Sequence, residues 1–214
     1  MALVLYYGSG SPFAWKVQLA LEHKAIPYER KVLSFDAGDT KKPEFRAINP
    51  RGKVPTIDDN GFVLYESNAI VEYLDEQYRG APLFPGDARQ RALVRRQICE
   101  IDNYYDKALD KLLEEVFRKP EEIDRQKLAE AKRGVEDELR VFARMLRGDY
   151  LAGPLSASDF ALYPLVAFLF RAEQKRLPDL GAKAMLPPEI AAWKARIESL
   201  PFIDRTIPPH WTQG

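Results

Sequence analysis

The chain has 214 residues, 46% hydrophobic and 30% charged, with 32 basic residues balancing 32 acidic ones. That length suits one large domain or two small ones, the composition is that of a soluble globular protein, and the cancelled charge leaves no global field to draw it to nucleic acid or an anionic membrane. The only cysteine, Cys99, excludes an intrachain disulfide and a cysteine-cluster metal site, and with just two histidines, His23 and His210, no metal is expected.

The opening residues MALVLYYGSG lack a basic leader and a long apolar stretch, so no signal peptide is expected and a cytoplasmic location is the default. Up to about residue 78, β-like and helical runs alternate. A strand is predicted over Ala2 to Tyr7, a helix over Pro12 to Lys24, strands over Tyr28 to Leu33, Thr56 to Asp58 and Phe62 to Tyr65, and a helix over Ser67 to Gln77. Between them, Thr40 to Ala47 reads as a short irregular helix, with Pro43 suited to a first turn. Asp59-Asn60-Gly61 is a hairpin turn, because Asn and Gly tolerate positive φ. These elements predict a four-stranded mixed sheet.

The stretch RGAPLFPGDAR, from Arg79 to Arg89, holds two Pro and two Gly, and no strand pattern recurs after it. It is the expected boundary: a first domain over 1–79, a linker over 80–88 and an all-helical domain over 89–214. Helices are predicted from about Asp87 to Phe117, Glu121 to Leu146, Ser158 to Ala172 and Pro188 to Ser199. Ile98, Ile101, Tyr105, Leu109, Leu112 and Val116 form one apolar stripe along the first of these. Ser156 and Asp159 have the spacing of a capping box, Leu155 and Phe160 that of a hydrophobic staple, and the run from Phe160 to Phe170 is apolar nearly all round, as a buried helix requires. The mixed charges around Arg89, Arg95 and Asp102 read as a solvated helix face.

The string Asn49-Pro50-Arg51-Gly52-Lys53-Val54-Pro55-Thr56-Ile57, then Leu64-Tyr65-Glu66-Ser67-Asn68-Ala69-Ile70 and Tyr73-Leu74, resembles the glutathione-site signature of cytosolic glutathione S-transferases, and the Ser-Ala-Ser-Asp helix start matches that family too. The resemblance spans about residues 3 to 200. It implies a thioredoxin-like first domain, an all-α second domain, glutathione as co-substrate, an apolar electrophile as second substrate, and a homodimer with a flat, polar face. It also implies a cis bond at Pro55, an isomer that costs little before proline. Val54 would then offer its N–H and C=O to the cysteinyl part of glutathione, as an added strand does. Ser67, at a helix start, suits the γ-glutamyl carboxylate, and Glu66 the α-amino group. Lys41 and Lys53 stand where family members place a cation for the glycyl carboxylate, beside Thr40, where many relatives carry histidine.

Catalysis requires a thiolate, and a free thiol titrating near 8.5 is ionised by only a few percent at about pH 7. A hydroxyl at the mouth of the first helix could stabilise the anion, and Tyr6, Tyr7, Ser9 and Ser11 all lie there. In the serine-type classes, theta, phi and delta, a basic residue and Val follow the catalytic serine at the spacing of Lys16 and Val17 from Ser11, which favours Ser11. The electrophile pocket is expected between the domains, lined by Phe13 and by Tyr104, Tyr105 or Phe117, with Trp211 closing it. Tyr104 is the candidate taken from the helical set. Competing readings are a non-catalytic module of the same fold and a glutathione-dependent isomerase, although the isomerase's Ser-Ser-Cys loop is missing.

Overall fold

The structure, a computed structural model, describes residues 3–211 and forms two compact units. One runs through Phe84 and takes in the tail from Pro201, and the other is Pro85–Leu200. In the first, β1 (Leu3–Tyr7), β2 (Tyr28–Val32), β3 (Thr56–Asp59) and β4 (Phe62–Tyr65) make a sheet in the order β2-β1-β3-β4. The β1–β2 pair is parallel and the other two pairs are antiparallel, so the sheet is mixed as expected. A parallel pair needs a crossover, which α1 (Pro12–His23) supplies. The predicted start of β1 at Ala2 lies outside the described residues. The β3–β4 turn puts Asn60 at φ 56° and Gly61 at φ 93°, both in the left-handed region that a two-residue hairpin loop demands.

Side chains alternate across a strand, so the sheet has two distinct faces. On one, Leu5 and Ile57 are buried together with Leu19 of α1 and with Ile70 and Leu74 of α3 (Ser67–Gln77), which packs against α1. Tyr6 points the other way, its ring 5.9 Å from that of Phe45 on α2 (Pro43–Ile48). The irregular helix predicted over Thr40 to Ala47 resolves into a 3-10 turn, Asp39–Lys41, followed by α2. A buried ion pair between Lys24 and Asp75 (3.3 Å) joins the ends of α1 and α3, and Asp75 also accepts the Leu83 N–H (2.7 Å).

The second unit starts with α4 (Ala88–Glu100), where Asp87 and Gln90 form a capping box. A π-helical turn, Ile101–Tyr105, leads directly into α5 (Asp106–Val116), so the long helix predicted from Asp87 carries an unpredicted widening. All six residues of its apolar stripe are buried, and Tyr105 meets Phe142 edge-on (6.2 Å). Next come α6 (Arg125–Met145), α7 (Ala157–Arg176), a short α8 (Ala182–Met185) that carried no sequence signal, and α9 (Pro188–Glu198). Helix α7 runs past its predicted end at Ala172. Among the described residues, no helix is long and apolar enough to cross a membrane.

The start of α7 is organised around one carboxylate. Asp159 Oδ2 accepts the Ser156 N–H and hydroxyl (3.0 Å each), while Oδ1 accepts the Leu151 N–H (3.0 Å) and the Trp193 indole N–H (2.9 Å). The capping box read from the sequence is therefore also the tie that joins α7 to α9 and to the preceding loop.

Candidate active site

The loop Gly8–Ser11 connects β1 to α1. Ser11 is the N-cap, with extended backbone (φ −69°, ψ 118°), and Pro12 follows at the first helical position, where its missing N–H costs nothing. The Ser11 hydroxyl accepts the Ala14 N–H at 3.4 Å. A hydroxyl that accepts through a lone pair still has its own hydrogen to donate. Ser9 Oγ lies 2.9 Å from His210 Nδ1 in the tail. Tyr7 lines a small cavity of about 10 Å³ together with Ser9, Gly10 and Ser11. Tyr6 faces α2, with the Lys31 ammonium 5.3 Å from its ring centroid. The four hydroxyl candidates thus part company: Tyr6 packs on the opposite sheet face, Tyr7 lines the small cavity, Ser9 engages the tail, and Ser11 sits on the helix end.

The bond between Val54 and Pro55 is cis, as the resemblance implied. Register in both ladders ends at Thr56, leaving the Val54 backbone beyond the paired part of the sheet. The loop before it is held by buried Asn49, whose amide donates to Lys53 O (2.8 Å) and Thr56 Oγ1 (3.0 Å) and whose Oδ1 accepts the Arg51 N–H (2.9 Å). Gly52 adopts φ 60°, and a Cβ there would lie 2.7 Å from the Thr40 carbonyl oxygen. Only glycine permits that approach. It brings the loop carrying Lys53 against the turn carrying Thr40 and Lys41.

At the β4–α3 junction Glu66 has a positive φ (φ 73°, ψ 109°), a conformation costly for a non-glycine residue and one that clusters at ligand sites. Ser67 opens α3 and is buried. Its hydroxyl accepts from Lys16 Nζ (3.1 Å), which also donates to Asn68 Oδ1 (2.6 Å) and lies 5.5 Å from the Phe13 ring centroid. Lys16 is 3% exposed. A buried ammonium and the first N–H groups of a helix thus converge, and both favour an anion.

In the helical unit, Tyr104 is 59% exposed and lines a groove of about 650 Å³ with Lys107 and Lys111 of α5 and Lys127 and Glu138 of α6. Tyr105 is fully buried, and burial pushes its phenol well above the ordinary value. Phe117 stacks near Phe168 (6.5 Å) under the Arg176 guanidinium. In the first unit Trp211 stands edge-on to Trp15 at 5.3 Å.

Sequence reasoning did not single out Asn49, Asn68, Phe35 or His210. Asn49 and Asn68 lie inside the quoted strings, where an Asn before a proline turn and another in a first helical turn were available signals. Phe35, exposed by 53%, lays its ring on Gly8, and nothing in its local sequence announces that contact. His210 reaches Ser9 across nearly the whole chain, a contact that periodicity cannot reveal.

A family model described as glutathione S-transferase, N-terminal domain, matches residues 10–77. The chain is 30% identical to glutathione S-transferase A of Pleuronectes platessa, over 99% of this chain and 94% of that protein. It is 30% identical to glutathione S-transferase D7 of Drosophila melanogaster, over 92% and 90%. Among solved structures, a glutathione S-transferase from the Antarctic clam Laternula elliptica superposes with a TM-score of 0.86 at 33% identity, covering 100% of this chain and 95% of the clam protein.

Proposed function

Because this chain belongs to the glutathione S-transferase family and takes glutathione as co-substrate, we propose that Ser11 is the hydroxyl that keeps the glutathione sulfur anionic while it attacks a small apolar electrophile. The observation that carries this assignment is the N-cap placement of Ser11. A sulfur at the mouth of α1 meets both a hydroxyl donor and the positive end of a helix. Lowering a thiol from about 8.5 to about 6.5 corresponds to roughly 2.7 kcal/mol of preference for the anion, within reach of those two sources.

Each end of glutathione then has a partner of matching chemistry. The γ-glutamyl carboxylate goes to Ser67 and the α3 N-terminus, with Lys16 behind them. The α-amino group goes to Glu66. The cysteinyl amide pairs with the Val54 backbone as an added strand. The glycyl carboxylate goes to Lys41 and Lys53, beside Thr40, and Phe13 contacts the electrophile. In the reaction the thiol gives its proton to solvent, the sulfur pair forms a bond to carbon, and the leaving group departs with its own pair. With an unsaturated carbonyl compound, the resulting carbanion takes a proton from water instead. A two-fold homodimer acting in the cytosol belongs to the same proposal.

The test is to titrate the thiolate absorbance of bound glutathione in the native protein and in Ser11→Ala, alongside turnover of a chlorinated dinitrobenzene. We expect the thiol to titrate higher by about 1 to 2 pH units in the variant, with kcat/KM at neutral pH lower by about 10- to 100-fold. Equal ionisation in the two proteins refutes the assignment.

A further inference from the structure

We propose that His210 is a positioning residue of the thiol site: through Ser9 it holds the loop Gly8–Ser11 in the conformation that presents the Ser11 hydroxyl to sulfur. The proposal rests on the assignment of Ser11 above. Glycines at 8 and 10 give this loop little torsional restraint of its own, and Gly10 already sits at φ 87°. The Ser9–His210 bond of 2.9 Å supplies restraint from outside. The imidazole also rests on Gly10, where a Cβ would lie 3.2 Å from His210 Cε1 and 3.4 Å from Trp211 Nε1. His210 therefore covers the residue between the two serines while bonding to one of them.

The tail does not depend on that bond to reach the loop. The Trp15 indole N–H donates to Thr206 Oγ1 (2.8 Å, buried), and Thr206 in turn donates to the Ile203 carbonyl (2.7 Å). Arg30 of β2 donates to the Arg205 carbonyl (3.2 Å), and Arg205 pairs with Glu22 of α1 (2.7 Å). These ties lie on α1 and β2, before the tail arrives at Ser9. With the strap anchored independently, the imidazole acts on the loop and not merely on the tail. Held against His210, Ser9 serves as a strut for the loop, while Ser11 stays at the N-cap of α1.

The experiment uses the full-length protein. The thiolate absorbance of bound glutathione is titrated in native protein, Ser11→Ala, Ser9→Ala, His210→Ala, His210→Asn and the Ser9→Ala/His210→Ala double variant, with glutathione affinity measured by calorimetry. One hydrogen bond of ordinary strength is expected to move the thiol up by about half to one pH unit in His210→Ala, lowering kcat up to about tenfold and leaving the glutathione Kd within about twofold. Asn places an amide group where Nδ1 stood, so His210→Asn restores the native titration. Because Ser9 and His210 act as one unit, the double variant matches either single one. A native titration in His210→Ala, with Ser11→Ala shifted, overturns this proposal and leaves the Ser11 assignment standing. A native titration in Ser11→Ala overturns both. Loss of glutathione affinity in parallel with the shift, without rescue by Asn, shows a merely structural role and also overturns the proposal.

Discussion

Removing the Asp159 carboxylate is the sharpest test of how the helical unit is held together. In Asp159→Ala, three buried donors lose their acceptor: the Leu151 and Ser156 N–H groups and the Trp193 indole. The Ser156 hydroxyl does not, because it can turn to Ser158 Oγ at 2.9 Å. At about 1–3 kcal/mol for each stranded donor, the gross cost is roughly 3–9 kcal/mol. Against this, burial holds the carboxyl up at about 6 instead of 3.8, despite the bonds from Leu151, Trp193 and Ser156. That rise means the native protein carries roughly 3 kcal/mol of strain from the ionised group at neutral pH, which Ala relieves. Subtracting that relief leaves a net loss of up to about 6 kcal/mol for Ala. Asp159→Asn keeps Oδ1 and its two bonds but sets an NH₂ against the Ser156 N–H, so it should cost about 1–2 kcal/mol. The sign of the pH dependence follows from the raised folded value. The carboxyl's contribution is fully present below about pH 4 and is lost as pH rises through 6, so the native protein should gain roughly 1 kcal/mol over Asp159→Asn between about pH 7 and pH 5. Urea unfolding at fixed protein concentration reads all three quantities. An Ala variant more stable than the native protein, or an advantage over Asn that shrinks on acidification, would refute this account.

Three further outcomes follow from the first unit. Burial alone would raise the Asp59 carboxyl, but hydrogen bonds from Tyr73 (2.6 Å), Tyr78 (2.7 Å) and Asn60 (2.8 Å) outweigh it and hold the group below 3.8. Its stabilisation is present above that value and lost as pH falls through the folded one, so Tyr73→Phe/Tyr78→Phe should cost about 1–3 kcal/mol at neutral pH and less near pH 3 by urea unfolding; a cost independent of pH counts against the network. Lys16→Met should raise the glutathione Kd about tenfold in calorimetry while moving the thiol titration little, because Lys16 supports Ser67 and not the sulfur; an unchanged Kd removes Lys16 from the site. Gly52→Ala forces a Cβ into the Thr40 carbonyl at φ 60°, so thermal unfolding should show a loss of about 1–3 kcal/mol, with glutathione binding weakened as the Thr40 turn moves away; native stability would mean that the two segments are not braced against each other.

What was legible in the sequence, and what was not, divides by the distance over which each feature is encoded. Helix starts at Pro12, Ser67 and Pro188 and the β3–β4 hairpin came out at their predicted positions, because a cap, a proline or an Asn-Gly pair acts within a few residues. The stripe from Ile98 to Val116 was read correctly as buried, yet the π turn inside it was invisible, because a 3.6-residue repeat tolerates one extra residue without losing its apolar face. Helix α8 is a single turn after left-handed Gly181, too short to show a period. The candidate site follows the same rule. The residues proposed to face glutathione lie in contiguous strings, whereas the groups packed behind them come from far along the chain. Lys16 on α1 reaches Ser67 at the start of α3, 51 residues further along the chain, and His210 reaches Ser9 from near the other end of it. The proposed glutathione site is thus legible in its local strings, while the contacts behind it are ones that only the fold brings together. The distant supports, Lys16 and His210, are therefore where substitutions should separate glutathione affinity from thiol acidity.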